Sequence, residues 1–386
     1  MRPSVSQAVL KALEAVYGPE LEKVLEALPT PGKRYYMRVN TLKADRDYVL
    51  ERLREKGLDA RADEHLPEAI YLPVEGPFKL PEAEKKVVVD KFTAESVIMG
   101  SNVYVPGVRS FEGVRKGDEV LIVSELGHVV AFGVAEMDED EVLRARRGLA
   151  VRVLRPVYRL PAIRELEEFG EGLIYPQSLP AMLTSRVLEP EPGELIVDMT
   201  CAPGGKLSHI CQLTANRARV LGFDRSSRRL RETRAVLARL GCEAAAIRAD
   251  SRYLDVDFPF LVGRADRVLV DPPCSALGVL PKLYDLKDER ELASLAEYQK
   301  QFIKVAARLV RPGGVVVYSV CTMTVAECEE LVAFAVEECG LEVDEQPLYL
   351  ASRGLPGLAP RSELLQRFHP HIHGSGYFIA RFRRLG

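Results

Sequence analysis

At 386 residues the chain exceeds what one core of about 100–200 residues needs, so two or three domains are expected. Hydrophobic content of 47% with 28% charged residues excludes a largely disordered chain, and no apolar run approaches the roughly 18 residues a membrane helix requires. A net charge of −3 gives no bulk basic signature, so any surface for nucleic acid must be local. Only 3 Asn and 7 Gln stand against 38 Arg and 15 Lys, a balance that leans towards a thermophile. The seven cysteines all lie beyond residue 200, in no CxxC pair, and the first residues carry no apolar signal core. A cytoplasmic protein without a metal site, and a monomer, is the expectation.

Residues 1–28 repeat apolar positions at helical spacing (Val9, Leu10, Leu13, Val16; Leu21, Val24, Leu25, Leu28) and predict two short helices. Residues 35–40 read as a strand and 45–56 as a helix stopped by Gly57, followed by a second strand, a small βαβ-type unit. A stretch rich in Pro, Gly and charge over 73–84 marks a boundary. Between 85 and 165 short apolar runs (87–89, 103–105, 120–123, 129–135, 150–154) alternate with turn residues, the pattern of a compact β-barrel. The acidic run 138–141 reads as a solvated turn. From Gly170 onwards strand-like runs at 195–199, 220–223, 244–247, 268–270 and 315–319 are separated by helical stretches such as 227–240 and 292–309. That alternation predicts a doubly wound, mostly parallel α/β sheet.

The first strand of this sheet runs into Asp198-Met199-Thr200-Cys201-Ala202-Pro203-Gly204-Gly205-Lys206. A glycine pair at a strand-to-helix turn lets the backbone approach a ligand, at the carboxyl edge where open α/β sheets bind cofactors. The segment is neither a dinucleotide fingerprint nor a Walker loop. The following strands end in Asp224, Asp250 and Asp271, so four successive tips each present an acid. Asp224 suits ribose hydroxyls and Asp250 an adenine amino group. Such an edge repels a polyphosphate and suits a nucleoside bearing a cationic sulfonium, which points to S-adenosylmethionine.

Cys274 follows Asp271 at the fourth tip, and Cys321 follows the fifth strand. Adjacent tips place both thiols at one edge. They can be packing cysteines, a disulfide, or a reactive pair. The chemistry that needs them is methylation of cytosine at carbon 5, a poor nucleophile until a thiolate adds to carbon 6. A base must then remove the carbon 5 proton so that the thiol leaves.

These residues resemble the Sun-domain (Fmu-type) RNA 5-methylcytosine methyltransferases. The resemblance rests on an ordered set of segments: Arg38 to Lys43, Tyr175-Pro176-Gln177-Ser178, Cys201 to Lys206, Asp271-Pro272-Pro273-Cys274-Ser275, Cys321 with Glu327 and Glu329, and His373 to Phe378. It implies a Rossmann-like doubly wound methyltransferase domain over 166–386, preceded by a helical and RRM-like α+β unit over 1–84. Cys321 would be the nucleophile and Cys274 would assist product release, with Asp271 contacting the base near N3 and N4 and Lys206 completing the catalytic group. Cys201, Ala202, Pro203, Gly204, Gly205, Lys206, Asp224, Arg229, Asp250 and Asp271 would bind the donor. Pro272 stands where the family often has Ala, and Val320 where Thr is common; neither removes a group the chemistry needs.

Residues 85–165 resemble a PUA domain, an RNA-binding β-barrel, through Val87 to Asp90, Ala94 to Val103, Pro106 to Val108, Gly117 to Val120 and Ala131 to Ala135. In this position it is similar to the branch of the family that methylates the acceptor-stem cytosine at position 72 of tRNA, with the PUA unit holding the CCA end. Another tRNA cytosine, ribosomal RNA, or a non-catalytic RNA-binding scaffold are the competing expectations. Eight arginines between 217 and 239 (Arg217, Arg219, Arg225, Arg228, Arg229, Arg231, Arg234, Arg239) and six between 144 and 159 (Arg144, Arg146, Arg147, Arg152, Arg155, Arg159) offer local charge, as do Arg381, Arg383 and Arg384. The first cluster reads equally as a solvated helix face. His369, His371 and His373 lack acid or thiol partners in sequence and are not read as a metal site.

Overall fold

The computed structural model describes residues 2–386. The helices Gln7–Tyr17 and Leu21–Ala27 form as the spacing predicts, the first capped by Ser6, whose hydroxyl accepts the Val9 N–H. Asp45 caps the helix Arg46–Glu55 in the same way through Tyr48. This helix joins two parallel strands, Arg34–Val39 and Arg61–Ala62, but the antiparallel strand Ala69–Pro73 lies between them. The unit is therefore a split βαβ rather than an adjacent pair. Its fourth strand, Ile174–Pro176, comes from beyond the insert and pairs antiparallel with Arg34–Val39. Leu173 and Ile174 join Met37, Val39, Leu50 and Leu53 in one apolar core, so the chain returns to its first unit before entering the last one.

The insert is a six-stranded sheet with Lys85–Val89 and Glu119–Ser124 parallel and its other neighbouring strands antiparallel. Val87, Ile122, Ala131 and Val151 fill its core, together with Leu283 and Tyr284 from the last unit. The acidic run is solvated, as the sequence predicts, but it is not a turn. Glu139–Arg144 is a short helix, because Glu141 accepts the Asp138 N–H at 2.9 Å and Val142 turns inward.

In the last unit the strands Ala245–Arg248, Arg219–Asp224, Leu195–Asp198, Ala265–Val270 and Val310–Val320 lie side by side and parallel, in that spatial order. Tyr377–Arg384 adds antiparallel to Val310–Val320. The helix Ser227–Leu240 keeps its predicted bounds, from the Ser226 cap to Gly241 at φ +68°. The helix predicted from Leu292 instead starts at Glu289. Asp288 and Glu291 form a reciprocal capping box that adds a turn before the first apolar position.

Candidate active site

The Asp198–Lys206 segment leaves the central strand and turns sharply into the helix Gly205–Leu213. Gly204 makes that turn at φ +105°, where a side chain is strained. It faces Thr233 and Val236 behind the loop rather than the ligand side. In front of the loop opens a cleft of about 190 Å³. Asp198, Thr200, Cys201, Ala202, Pro203, Gly205, Lys206 and Asp271 form one wall, and Tyr175, Pro176, Gln177, Ser178 and Ala181 the other.

Asp198 is 1% exposed, and among the described residues its carboxylate accepts one hydrogen bond, 3.1 Å from the Thr200 N–H. Burial, reinforced by Asp271 and Asp224 against Lys206 and that bond, pushes its pKa up to about 7. A buried, under-satisfied carboxylate lining a cleft fits a cationic ligand. Asp224 at the next tip pairs with Arg229 at 3.2 Å and accepts the Ser226 N–H at 2.7 Å. Arg229 also donates to the Ala202 carbonyl, tying the second tip to the glycine loop. Asp250 is engaged by Arg252 through side chain and backbone, Nε–Oδ1 2.9 Å and N–Oδ1 3.1 Å. It stands at the third tip, outside the cleft wall; Oδ2 also accepts from Arg252 Nη2, which leaves that oxygen one lone pair for an adenine amino group.

Deeper along the edge, Lys206 Nζ lies 2.6 Å from Asp271 Oδ2 and 5.7 Å from the centre of the Tyr377 ring. Burial opposes its charge, but Asp271 and Tyr377 outweigh that and hold the ammonium firmly protonated. Ser319 donates to Asp271 Oδ1 at 3.1 Å, and the Tyr377 hydroxyl donates to Ser319 at 3.2 Å. The carboxylate is thus fixed from two sides. Beside it, Cys274 Sγ and Cys321 Sγ are 3.4 Å apart, both half-buried. The Cys274 thiol donating to Cys321 lowers the Cys321 pKa against the effect of burial and of Asp271, with Lys206 and Lys282 assisting. Cys274 is pushed well up by the same bond, by burial, and by the charges of Cys321 and Glu327. The two sulfurs are therefore unequal: Cys321 is held below the ordinary thiol range and Cys274 above it, which makes Cys321 the readier nucleophile.

A buried network fixes the loops that carry them. Glu327, 1% exposed, accepts from the Ser275 N–H at 2.9 Å, the Thr324 hydroxyl at 3.1 Å and Gln299 Nε2 at 2.8 Å. Gly278 donates its N–H to the Cys321 carbonyl at 3.0 Å, and a Cβ there would meet the Gly376 carbonyl at 1.9 Å. The sequence reading quoted Glu327 and the Tyr175–Ser178 segment without giving either a role, and it missed Ser319 and Gln299. The one signal available for these two was their place on elements that end at the same edge.

Three family models cover the chain: a ferredoxin-like domain of RsmF/B-like methyltransferases over residues 7–79, a PUA domain over 85–157, and 16S rRNA methyltransferase RsmB/F over 185–383. The chain belongs to the RsmB/F methyltransferase family. It is 40% identical over 372 residues to a tRNA (cytosine(72)-C(5))-methyltransferase of Pyrococcus horikoshii, spanning 95% of this chain and 93% of that one. The human tRNA (cytosine(72)-C(5))-methyltransferase NSUN6 is 30% identical over 393 residues, 91% of this chain and 83% of its own. A crystal structure of NSun6 from Pyrococcus horikoshii with SFG superposes at a TM-score of 0.92, covering 100% and 99% of the two chains at 38% identity. SFG is an analogue of S-adenosylmethionine. As an RsmB/F protein the chain is an S-adenosylmethionine-dependent RNA cytosine-C5 methyltransferase, and the anionic cleft beside the cysteine pair fits that donor.

Of the arginines read as RNA contacts, several have structural work. Arg239 stacks on Phe169 at 4.0 Å, Arg234 donates to the Ala246 carbonyl, and Arg381 is buried against Glu189 and Asp344. Arg152 pairs with Glu136 at 2.7 Å. His369 and His371 meet the Tyr17 ring edge-on.

Proposed function

We propose that this chain methylates carbon 5 of cytosine 72 in the tRNA acceptor stem. The observation that carries the chemistry is the pair of unequal sulfurs 3.4 Å apart, beside the Lys206–Asp271 pair and next to the donor cleft. The target assignment is supported by 40% identity over nearly the whole length of a relative with that specificity, PUA unit included.

S-adenosylmethionine, when bound, supplies a methyl group on a cationic sulfur. Asp198 and the glycine loop hold it, and Asp224 orients it. The Cys321 thiolate adds to carbon 6 of the pyrimidine, and the electron pair of the 5,6 double bond moves onto carbon 5, which takes the methyl group. Asp271, held by Lys206 and Ser319, faces the ring's N3 and N4. Once Cys321 is bonded to carbon 6 its charge no longer holds the proton on Cys274. Cys274 releases that proton to solvent and, as the thiolate, takes the carbon 5 proton; the electrons of that C–H bond re-form the double bond and expel Cys321 as thiolate. Bisulfite sequencing of a tRNA transcript after incubation with enzyme and donor tests the assignment. The expected result is protection at cytosine 72 and none when position 72 is uridine. Modification of a ribosomal RNA fragment alone would overturn it.

A further inference from the structure

Beyond Cys274 the chain passes over the Cys321 carbonyl at Gly278 and reaches a junction where the three units meet. Lys282 donates its N–H to Leu28 of the first unit at 2.6 Å, and Leu283 donates to Glu95 of the insert at 3.1 Å. The strand Tyr284–Asp285 pairs with Ser4–Val5. Three ammonium groups converge there on one carboxylate, Asp285, which is 1% exposed. Lys287 Nζ lies 2.9 Å from both of its oxygens, and Lys91, from the insert, 3.2 Å from Oδ2. Lys282 is left over. Its side chain is 5% exposed, its nearest anion is 3.6 Å away, and among the described residues its ammonium makes no hydrogen bond, though it is not sealed from outside. With Glu95 counted, three positive charges face two negative ones.

An ammonium 5% exposed, with no acceptor among the described residues and only a narrow opening to water, favours an anion that can accept its free donors. Asp285 has spent its lone pairs on Lys91 and Lys287. The missing partner is an anion with free oxygens, presented beside the loop that grips Cys321 and touched by the insert as well. We infer that Lys282, with Lys91 and Lys287, binds a backbone phosphate of the RNA next to the target nucleotide and so sets the substrate's register between the insert and the cysteine pair. The inference rests on the RNA methyltransferase reading of the site and adds a positioning residue to it.

The test is the salt dependence of binding to a CCA-ended tRNA transcript. Each phosphate contact contributes about 0.7–0.9 to the slope of log K against log salt. Lys282→Met is expected to reduce the slope by about that amount and weaken RNA binding severalfold at about 0.1 M salt, while SFG affinity is retained. Lys282→Arg is expected to keep the slope. An unchanged slope in a Lys282→Met protein that melts normally overturns the inference. Should that variant fail to fold, the more exposed Lys287→Met reads the same slope, and no change there overturns it equally. Wild-type protein that binds the transcript without methylating cytosine 72 refutes the target assignment instead, because the slope comparison reports on any bound RNA.

Discussion

Cys274 and Cys321 share one hydrogen bond but not one role, because the charges around them differ. The shared bond lowers Cys321 and raises Cys274; Lys206 and Lys282 add to the first effect against Asp271, and burial and Glu327 add to the second. Cys321→Ala is therefore expected to abolish methyl transfer with donor affinity within about twofold, read by turnover and calorimetry. Cys274→Ala is expected to accumulate an RNA–protein adduct that survives denaturing electrophoresis. Asp198 gives a pH signature. Its pKa in the fold, about 7 against an ordinary value of about 3.9, means that the fold favours the neutral carboxyl. Its contribution to stability is complete below about pH 4 and is lost as pH rises towards 7. The cationic donor needs the carboxylate, so donor affinity should rise about tenfold between pH 6 and pH 8. Asp198→Asn should flatten that profile and raise Tm near pH 8; a profile that survives the substitution would reassign the titrating group.

Between elements, the segment Arg38-Val39-Asn40 shows what a motif can hide. Arg38 is 1% exposed and donates to Gln177, to the Gly205 carbonyl at 2.7 Å and to Ser208 at 2.7 Å; burial lowers its pKa to about 10. Asn40 reaches the carbonyls of Gly172 and Leu240. The first unit thereby clamps the helix that carries Lys206. Arg38→Met removes three charge-assisted bonds and leaves buried acceptors bare, so a loss of about 3 kcal/mol in stability is expected by denaturant titration, with weaker donor binding. From sequence alone Arg38 was part of a resemblance and nothing more. What periodicity and turn residues encode locally was legible: the helix Ser227–Leu240, the glycine loop, the acids at the strand tips and both cysteines. What depends on contacts across hundreds of residues was not. The strand Ile174–Pro176 is too short to announce its distant partner, and the side chain of Asp250 gave no hint that Arg252 would occupy it. The acids of 138–141 are solvent-facing as read, and what the sequence reading passed over there and at Asp288 is the reciprocal capping bond that starts a helix.

At the scale of the molecule, recognition and chemistry are built as one body. The first unit, the insert and the catalytic sheet meet at residues 282–287, directly after the loop that bonds to Cys321. Removing the insert should therefore weaken RNA binding far more than donor binding, by at least tenfold in a filter-binding and calorimetry comparison; equal losses would make the insert a scaffold. That comparison needs care over one detail. Leu283 is wholly buried and Tyr284 nearly so, both inside the insert's own core. Each contributes about 1.5–3 kcal/mol there. Anyone trimming this enzyme to a minimal catalyst would leave two greasy pegs standing in water, an invitation to aggregate that has nothing to do with lost recognition. Swapping both for hydrophilic residues in the same variant is what separates the two effects, and a lone calorimetric peak for the intact chain would show how tightly the pegs weld its halves.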